Sequence, residues 1–216
     1  LPEALRPVSP ISMVRAYDTL IRPDAKGGLP RRQTPVMHVA MIAAEAAPLA
    51  KVGGLADVIG ALPSALQALG VSVSTILPGY RFIDPAEFAP EASFLPEGLS
   101  FPVRRVRVKR TGMLVYLVEH EEFFGRPGVY TDPATGEEFP DQADRWIYFQ
   151  RAAMELVRTH LPPVDVLHCH DQQAALIPAY LERHYRHDPK FWRVGSVMTI
   201  DRKSTRLNSS HVSESR

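Results

Sequence analysis

The stretch Lys51-Val52-Gly53-Gly54-Leu55-Ala56-Asp57-Val58 has the residue types and spacing best suited to chemistry. Two adjacent glycines remove side chains, so backbone N–H groups there can approach an anion closely. A helix beginning behind them would add the partial positive charge of its N-terminus. Lys51 adds a full charge, and the set suits a diphosphate. No Lys-Ser/Thr pair follows the last glycine, so this is not a Walker-type loop, and the Gly-x-Gly-x-x-Gly dinucleotide pattern is absent too. A tight turn with no ligand fits the same spacing, and at this point both readings stand.

A second group is Val164-Asp165-Val166-Leu167-His168-Cys169-His170-Asp171. On a strand, His168 and His170 share one face while Cys169 and Asp171 share the other. Two histidines invite a metal reading, but no second ligand cluster accompanies them, so a buried histidine pair with no metal is expected. A mid-strand thiol is usually buried and inert, which argues against Cys169 as a nucleophile. Arg104, Arg105, Arg107, Lys109 and Arg110 form a local basic cluster that reads as a solvated strand face, with anion binding as the alternative.

These residues need elements to hold them. Val36-Met37-His38-Val39-Ala40-Met41-Ile42 is an almost continuous apolar run, as expected of a strand buried on both faces. Ala56 to Leu69 then places Val58, Ile59, Leu62, Leu66 and Leu69 on one helical face, with Gly70 as its stop. Val71 to Leu77 reads as the next strand, which completes a βαβ unit. Val103–Arg110 and Met113–Glu119 read as a hairpin turning at Arg110-Thr111-Gly112, so the sheet is expected to be mixed there. Arg126–Asp144 is a long Pro-, Gly- and Asp-rich connection of the kind that often carries function. Helical spacing follows over Arg145–His160, then a strand to His170, a helix over Ala174–His184, and a strand over Val194–Ile200. The expected class is α/β, with a Rossmann-like, mostly parallel sheet and a hairpin. Asp171 and the Lys51 loop both follow strand ends, where ligands of such sheets bind.

Of the 216 residues, 45% are apolar and 23% charged, which is ordinary for one globular core. The net charge of +1 points to neither nucleic acid nor a membrane surface. No apolar run could span a bilayer. A single cysteine excludes an internal disulfide and fits a reducing, cytoplasmic setting. Residues 1–35 contain six prolines and are expected to form an irregular extension. After Ile200 the apolar pattern stops. Asp201-Arg202-Lys203-Ser204-Thr205-Arg206-Leu207-Asn208-Ser209-Ser210-His211 looks like one reading frame of a sequencing-library adapter, so 201–216 is expected to be a non-native or disordered tail. The fold is therefore expected within 36–200.

The run from Ala44 to Pro63, AEAAPLAKVGGLADVIGALP, resembles the N-terminal signature of bacterial glycogen synthases and plant starch synthases, whose Lys-x-Gly-Gly-Leu core is an ADP-glucose motif. Gly125-Arg126-Pro127-Gly128-Val129-Tyr130 is similar to a second segment of that family. Asp165-Val166-Leu167-His168-Cys169-His170-Asp171 is similar to a third, with Gln172-Gln173 where the family usually has Trp-His. The resemblance implies the N-terminal half of a two-domain glycosyltransferase of the GT-B type. It implies transfer of glucose from ADP-glucose to the non-reducing end of an α-1,4-glucan, glycogen or starch, with retention. Lys51, Gly53 and Gly54 would face the donor diphosphate, Asp57 would lie near the sugar, Tyr130 would shape the donor site, and Asp171 would be catalytic. It implies no metal and no cofactor, and a cytoplasmic location, or a plastid in a plant. The family strand matching Val197–Ile200 runs into His-Asn, whereas Asp201-Arg202 follows here, and a C-terminal domain with further donor contacts is absent. The chain alone is therefore expected to be inactive. The rival expectations are another GT-B transferase with a different donor or acceptor, and a non-catalytic nucleotide- or glucan-binding module.

Overall fold

The computed structural model describes residues 36–200, so the expectations for 1–35 and 201–216 lie outside the described residues. Seven strands form one sheet in the order β3-β4-β5-β2-β1-β6-β7. They are β1 (His38–Ile42), β2 (Ser72–Pro78), β3 (Phe88–Phe94), β4 (Val103–Val108), β5 (Leu114–Val118), β6 (Val166–His170) and β7 (Gly195–Thr199). Every neighbouring pair from β5 through β2, β1 and β6 to β7 is parallel. The β3–β4 and β4–β5 pairs are antiparallel, so the α/β class and the hairpin stand as read from the sequence.

Burial explains which strands are central. All five residues of β1 and all five of β6 are buried. Strands covered on both faces favour uncharged, largely apolar residues: β1 supplies a near-continuous apolar run, and β6 buries two histidines beside its apolar residues. Their register puts Ile42 beside Ile76 of β2 and Cys169 of β6. His38 fixes the entry to both: its Nε2 meets Ser74 Oγ at 2.9 Å, and its backbone N–H donates to Asp165 Oδ2 at 2.8 Å.

Helix α1 (Gly54–Ala68) follows β1 and buries Leu55, Ile59, Leu62 and Leu66. It begins two residues earlier than the apolar period predicts and stops before Leu69, which is exposed. After the short α2 (Glu121–Phe124) comes α3 (Gln142–Thr159), which buries Trp146, Phe149, Ala153, Leu156 and Val157.

One expectation is corrected, and one strand is added that the sequence did not signal. The stretch 174–184 is not one helix: a 3-10 turn over Gln172–Ala174 precedes α4 (Ile177–Tyr180), which widens into a π turn over Leu181–Tyr185. Pro178 has no N–H to donate backward, so the helix restarts there instead of running through. Strand β3 carries no period-two signal, because five of its seven residues are exposed. It is an edge strand, and Pro90 with an irregularity before Ala92 fits only such a position. Three members of the basic cluster share two carboxylates there. Arg105 and Arg107 both pair with Glu91, at 3.1 and 2.6 Å, and Arg104 pairs with Glu119 of the β5 end.

Candidate functional site

Chain direction reverses across the sheet between β1 and β6: from β1 the chain moves outward to β2, then returns to place β6 on the other side. The crevice beyond the carboxyl ends at such a switch point is where open α/β sheets bind ligands. The Lys51 loop follows β1 and Asp171 follows β6, so the topology brings the two sequence-derived groups to one crevice.

The loop is organised from beneath by Glu45, a carboxylate only 3% exposed. Its Oε2 accepts from the N–H of Val52 at 2.7 Å and of Gly53 at 2.8 Å, and its Oε1 accepts from the Tyr130 hydroxyl at 2.7 Å. Gly53 then caps α1, whose first amides, from Gly54 on, have no partner within the helix. Lys51 Nζ donates to Asp57 Oδ1 at 2.6 Å, and both side chains are more than half exposed. The ammonium and the carboxylate therefore stand together at the helix mouth.

Tyr130 sits on the 126–141 connection, which two arginines hold against α3. Arg126 makes a bidentate pair with Asp141, at 2.6 and 2.5 Å, and closes the loop. Arg145, fully buried, donates to the carbonyls of Phe123 at 3.0 Å and Val129 at 3.1 Å. Both guanidinium groups lie 4.9 Å from the Phe139 ring, one of the stronger settings for a cation–π contact because it is partly desolvated. Gln142 Nε2 donates to the Tyr130 carbonyl at 2.5 Å. Burial, the Glu45 carboxylate and, more weakly, Tyr80 and Asp171 all push the Tyr130 phenol up, so it is a neutral hydroxyl at pH 7.

Asp171 is 5% exposed, and its N–H donates to Thr199 O at 2.9 Å, tying the ends of β6 and β7 together. Its backbone has φ +57° and ψ −174°, a region essentially confined to glycine. A non-glycine residue held there costs on the order of 1–3 kcal/mol, and such positions cluster at functional sites. The His168 and His170 rings lie on one face, as strand alternation requires, with centroids 4.1 Å apart and planes tilted by 34°. Burial lowers His168 to about 4, and burial together with His168 holds His170 far below its ordinary value, so both rings are neutral at pH 7. Burial raises the Cys169 thiol to about 12, which leaves it without thiolate character. Among the described residues no group of three or more His, Cys, Asp or Glu could hold a metal ion. Gln173, which follows Asp171 and Gln172, is buried.

Gly53 in the loop and Gly60 in α1 behave oppositely. Gly53 has φ −135° and ψ −161°, ordinary extended backbone, and a Cβ there would meet nothing within 4 Å. A turn alone therefore gives no reason for glycine at this position. Gly60 lies in α1 where a Cβ would come 2.8 Å from the Ala47 carbonyl oxygen, so it sets how closely the helix packs on the β1 loop. Gly53→Ala is expected to leave the denaturation midpoint almost unchanged, while Gly60→Ala costs about 1–3 kcal/mol through overpacking, both read by urea titration.

Three residues of the site carry no motif signal strong enough to find them: Glu45, Tyr80 and Arg145. Glu45 does stand out as a carboxylate inside an alanine-rich run, Ala43-Ala44-Glu45-Ala46-Ala47. Tyr80 donates to the Ala44 carbonyl at 3.0 Å and buries its ring beside Phe124.

Comparison with known proteins gives a consistent picture. A family model described as the starch synthase catalytic domain matches residues 38–203. The chain is 37% identical over 174 residues to glycogen synthase 1 of Geobacter sulfurreducens, covering 76% of this chain and 34% of the relative. It is 39% identical over 172 residues to a glycogen synthase of Exiguobacterium sibiricum, again over 76% of this chain and 34% of the relative. Among solved structures, the catalytic domain of starch synthase IV from Arabidopsis thaliana, bound to ADP and acarbose, superposes with a TM-score of 0.63 at 30% identity. That match covers 76% of this chain and 34% of the other. The chain thus spans about a third of the length of the relatives it matches.

Proposed function

Because this chain belongs to the starch synthase catalytic domain family, we propose that it supplies the donor-side wall of an α-glucan synthase. The reaction is transfer of glucose from ADP-glucose to the non-reducing end of an α-1,4-glucan, with retention at the transferred carbon. The observation that carries this reading is the sheet order, which sets the Lys51 loop and Asp171 at the ends of the adjacent strands β1 and β6, with Tyr130 bonded to Glu45 beneath that loop.

In this reading Lys51 and the amides from Gly54 onward meet the diphosphate, where negative charge grows as the glycosidic bond breaks. Gly53 leaves its outer side open for close approach. Asp57 faces the donor from the first turn of α1 and holds the Lys51 ammonium until a ligand takes it. Tyr130 contributes a hydroxyl that stays protonated, and Asp171 opposes the positive charge that develops on the sugar. No metal or cofactor is required by these roles. The relatives' further length would supply the nucleotide contacts and close the cleft against water. A cytoplasmic location fits this reading, and among the described residues no helix is long and apolar enough to cross a membrane.

The test is a chimaera in which residues 36–200 replace the matching segment of the Geobacter sulfurreducens enzyme. It is expected to incorporate labelled glucose into glycogen from ADP-glucose, while the 216-residue chain alone stays at background. A folded chimaera that is inactive with ADP-glucose would overturn the reading, and activity only with UDP-glucose would reassign the donor.

A further inference from the structure

We propose that Glu45 is a positioning residue that locks the two walls of the crevice, the 51–54 loop and Tyr130, into one unit. The amides left open to an anion then begin at Gly54. The second statement rests on the proposed donor reading, whereas the first stands on geometry alone.

The Glu45 carboxylate is almost wholly buried and accepts from three donors on two chain segments, the farther of them 85 positions away along the chain. Hydrogen bonds to an ionised acceptor are shorter and roughly twice as strong as neutral ones, and these three lie between 2.7 and 2.8 Å. Its backbone is fixed on either side. Tyr80 holds the Ala44 carbonyl, and Ala46 exchanges backbone bonds with Ala50, N to O, at 3.0 and 2.9 Å. The carboxylate is therefore a rigid peg and not a mobile side chain. A diphosphate that took the Val52 and Gly53 amides would strand a buried negative charge without its donors and place a second negative group beside it. Both are costly. The amides of Val52 and Gly53 thus serve Glu45, and the ligand side of the loop consists of Lys51 and the start of α1. Tyr130 in turn takes its hydroxyl direction from Glu45, so a change at position 45 reaches the wall after β5 as well.

The test needs no donor molecule, so its failure and the failure of the donor reading are separable. In the 15N-labelled 216-residue chain, Glu45→Gln keeps the shape and removes the charge. The amides of Val52 and Gly53 are expected to exchange about tenfold faster, as charge-assisted bonds become neutral ones. The Tyr130 ring resonances are expected to shift with them, while Ile42 and Ile76 in the central strands keep their rates. Tyr130→Phe is expected to change Val52 and Gly53 by less than about twofold, because Glu45 still holds both amides. Unchanged Val52 and Gly53 protection in Glu45→Gln would overturn the proposal. So would acceleration of all four amides together, the mark of a merely structural role. Should Glu45→Gln not fold, the unmutated chain decides. There the Val52 and Gly53 amides are expected to exchange at least about tenfold more slowly than the Gly54 amide at the open start of α1, and equal rates at all three would overturn the proposal.

Discussion

Lys51→Gln in the active chimaera is expected to lower kcat/KM for ADP-glucose by about 10²-fold, the loss seen when one electrostatic donor to a developing anion is removed. That corresponds to about 2.7 kcal/mol of transition-state stabilisation. The substitution keeps length and removes charge. In the unliganded state Lys51 spends its charge on Asp57, but that pair is solvent-exposed on both sides and contributes at most about 1 kcal/mol to folding. The thermal midpoint should therefore move little while transfer collapses, so a loss of activity cannot be ascribed to unfolding. The ammonium is worth more in the transition state than in the ground state, because diphosphate charge grows as the bond to glucose lengthens. The effect should thus appear in kcat as well as in KM. Donor kinetics left intact by Lys51→Gln would reduce the 51–57 segment to a turn and leave the donor assignment resting on kinship alone.

Asp171→Asn is expected to lower kcat on the order of 10²-fold with little change in donor KM, since the carboxylate acts on charge that develops at the sugar during reaction. Asparagine is the proper replacement for a structural reason. It keeps the size and shape of aspartate and removes only the charge, at a position whose backbone, φ +57° and ψ −174°, is strained for any non-glycine residue. Steady-state titration of ADP-glucose separates the two variants: Lys51→Gln shifts both parameters, and Asp171→Asn shifts kcat. Equal effects on KM from both would place Asp171 at the diphosphate and overturn its assignment to the sugar.

Much of the fold was legible because its signals are local. Strands β1 and β6 are buried along their whole length, and the largely apolar runs in 36–42 and 164–167 show it. The hairpin from β4 to β5 announces itself by two short strand-like runs about a glycine-bearing turn. Edge strand β3 was not legible, because a strand exposed along most of its length has no apolar period to display. Nor was the break in 174–184, where apolar spacing persists but Pro178 interrupts the hydrogen bonds that would make it helical.

The sequence by itself determined the α/β class, the glycine-rich loop at a strand-to-helix junction, and the acid at the end of β6. Each is written in contiguous residues whose period or spacing has one physical meaning. Tertiary structure alone decided how those groups are partnered. The Val52 and Gly53 amides turn inward to Glu45, Lys51 leans on Asp57, and Tyr130 reaches back across 85 positions to the same carboxylate. Such partnerships depend on sheet order and register, which bring the ends of β1, β5 and β6 to one crevice, and no local pattern encodes the distance between residues so far apart in the chain.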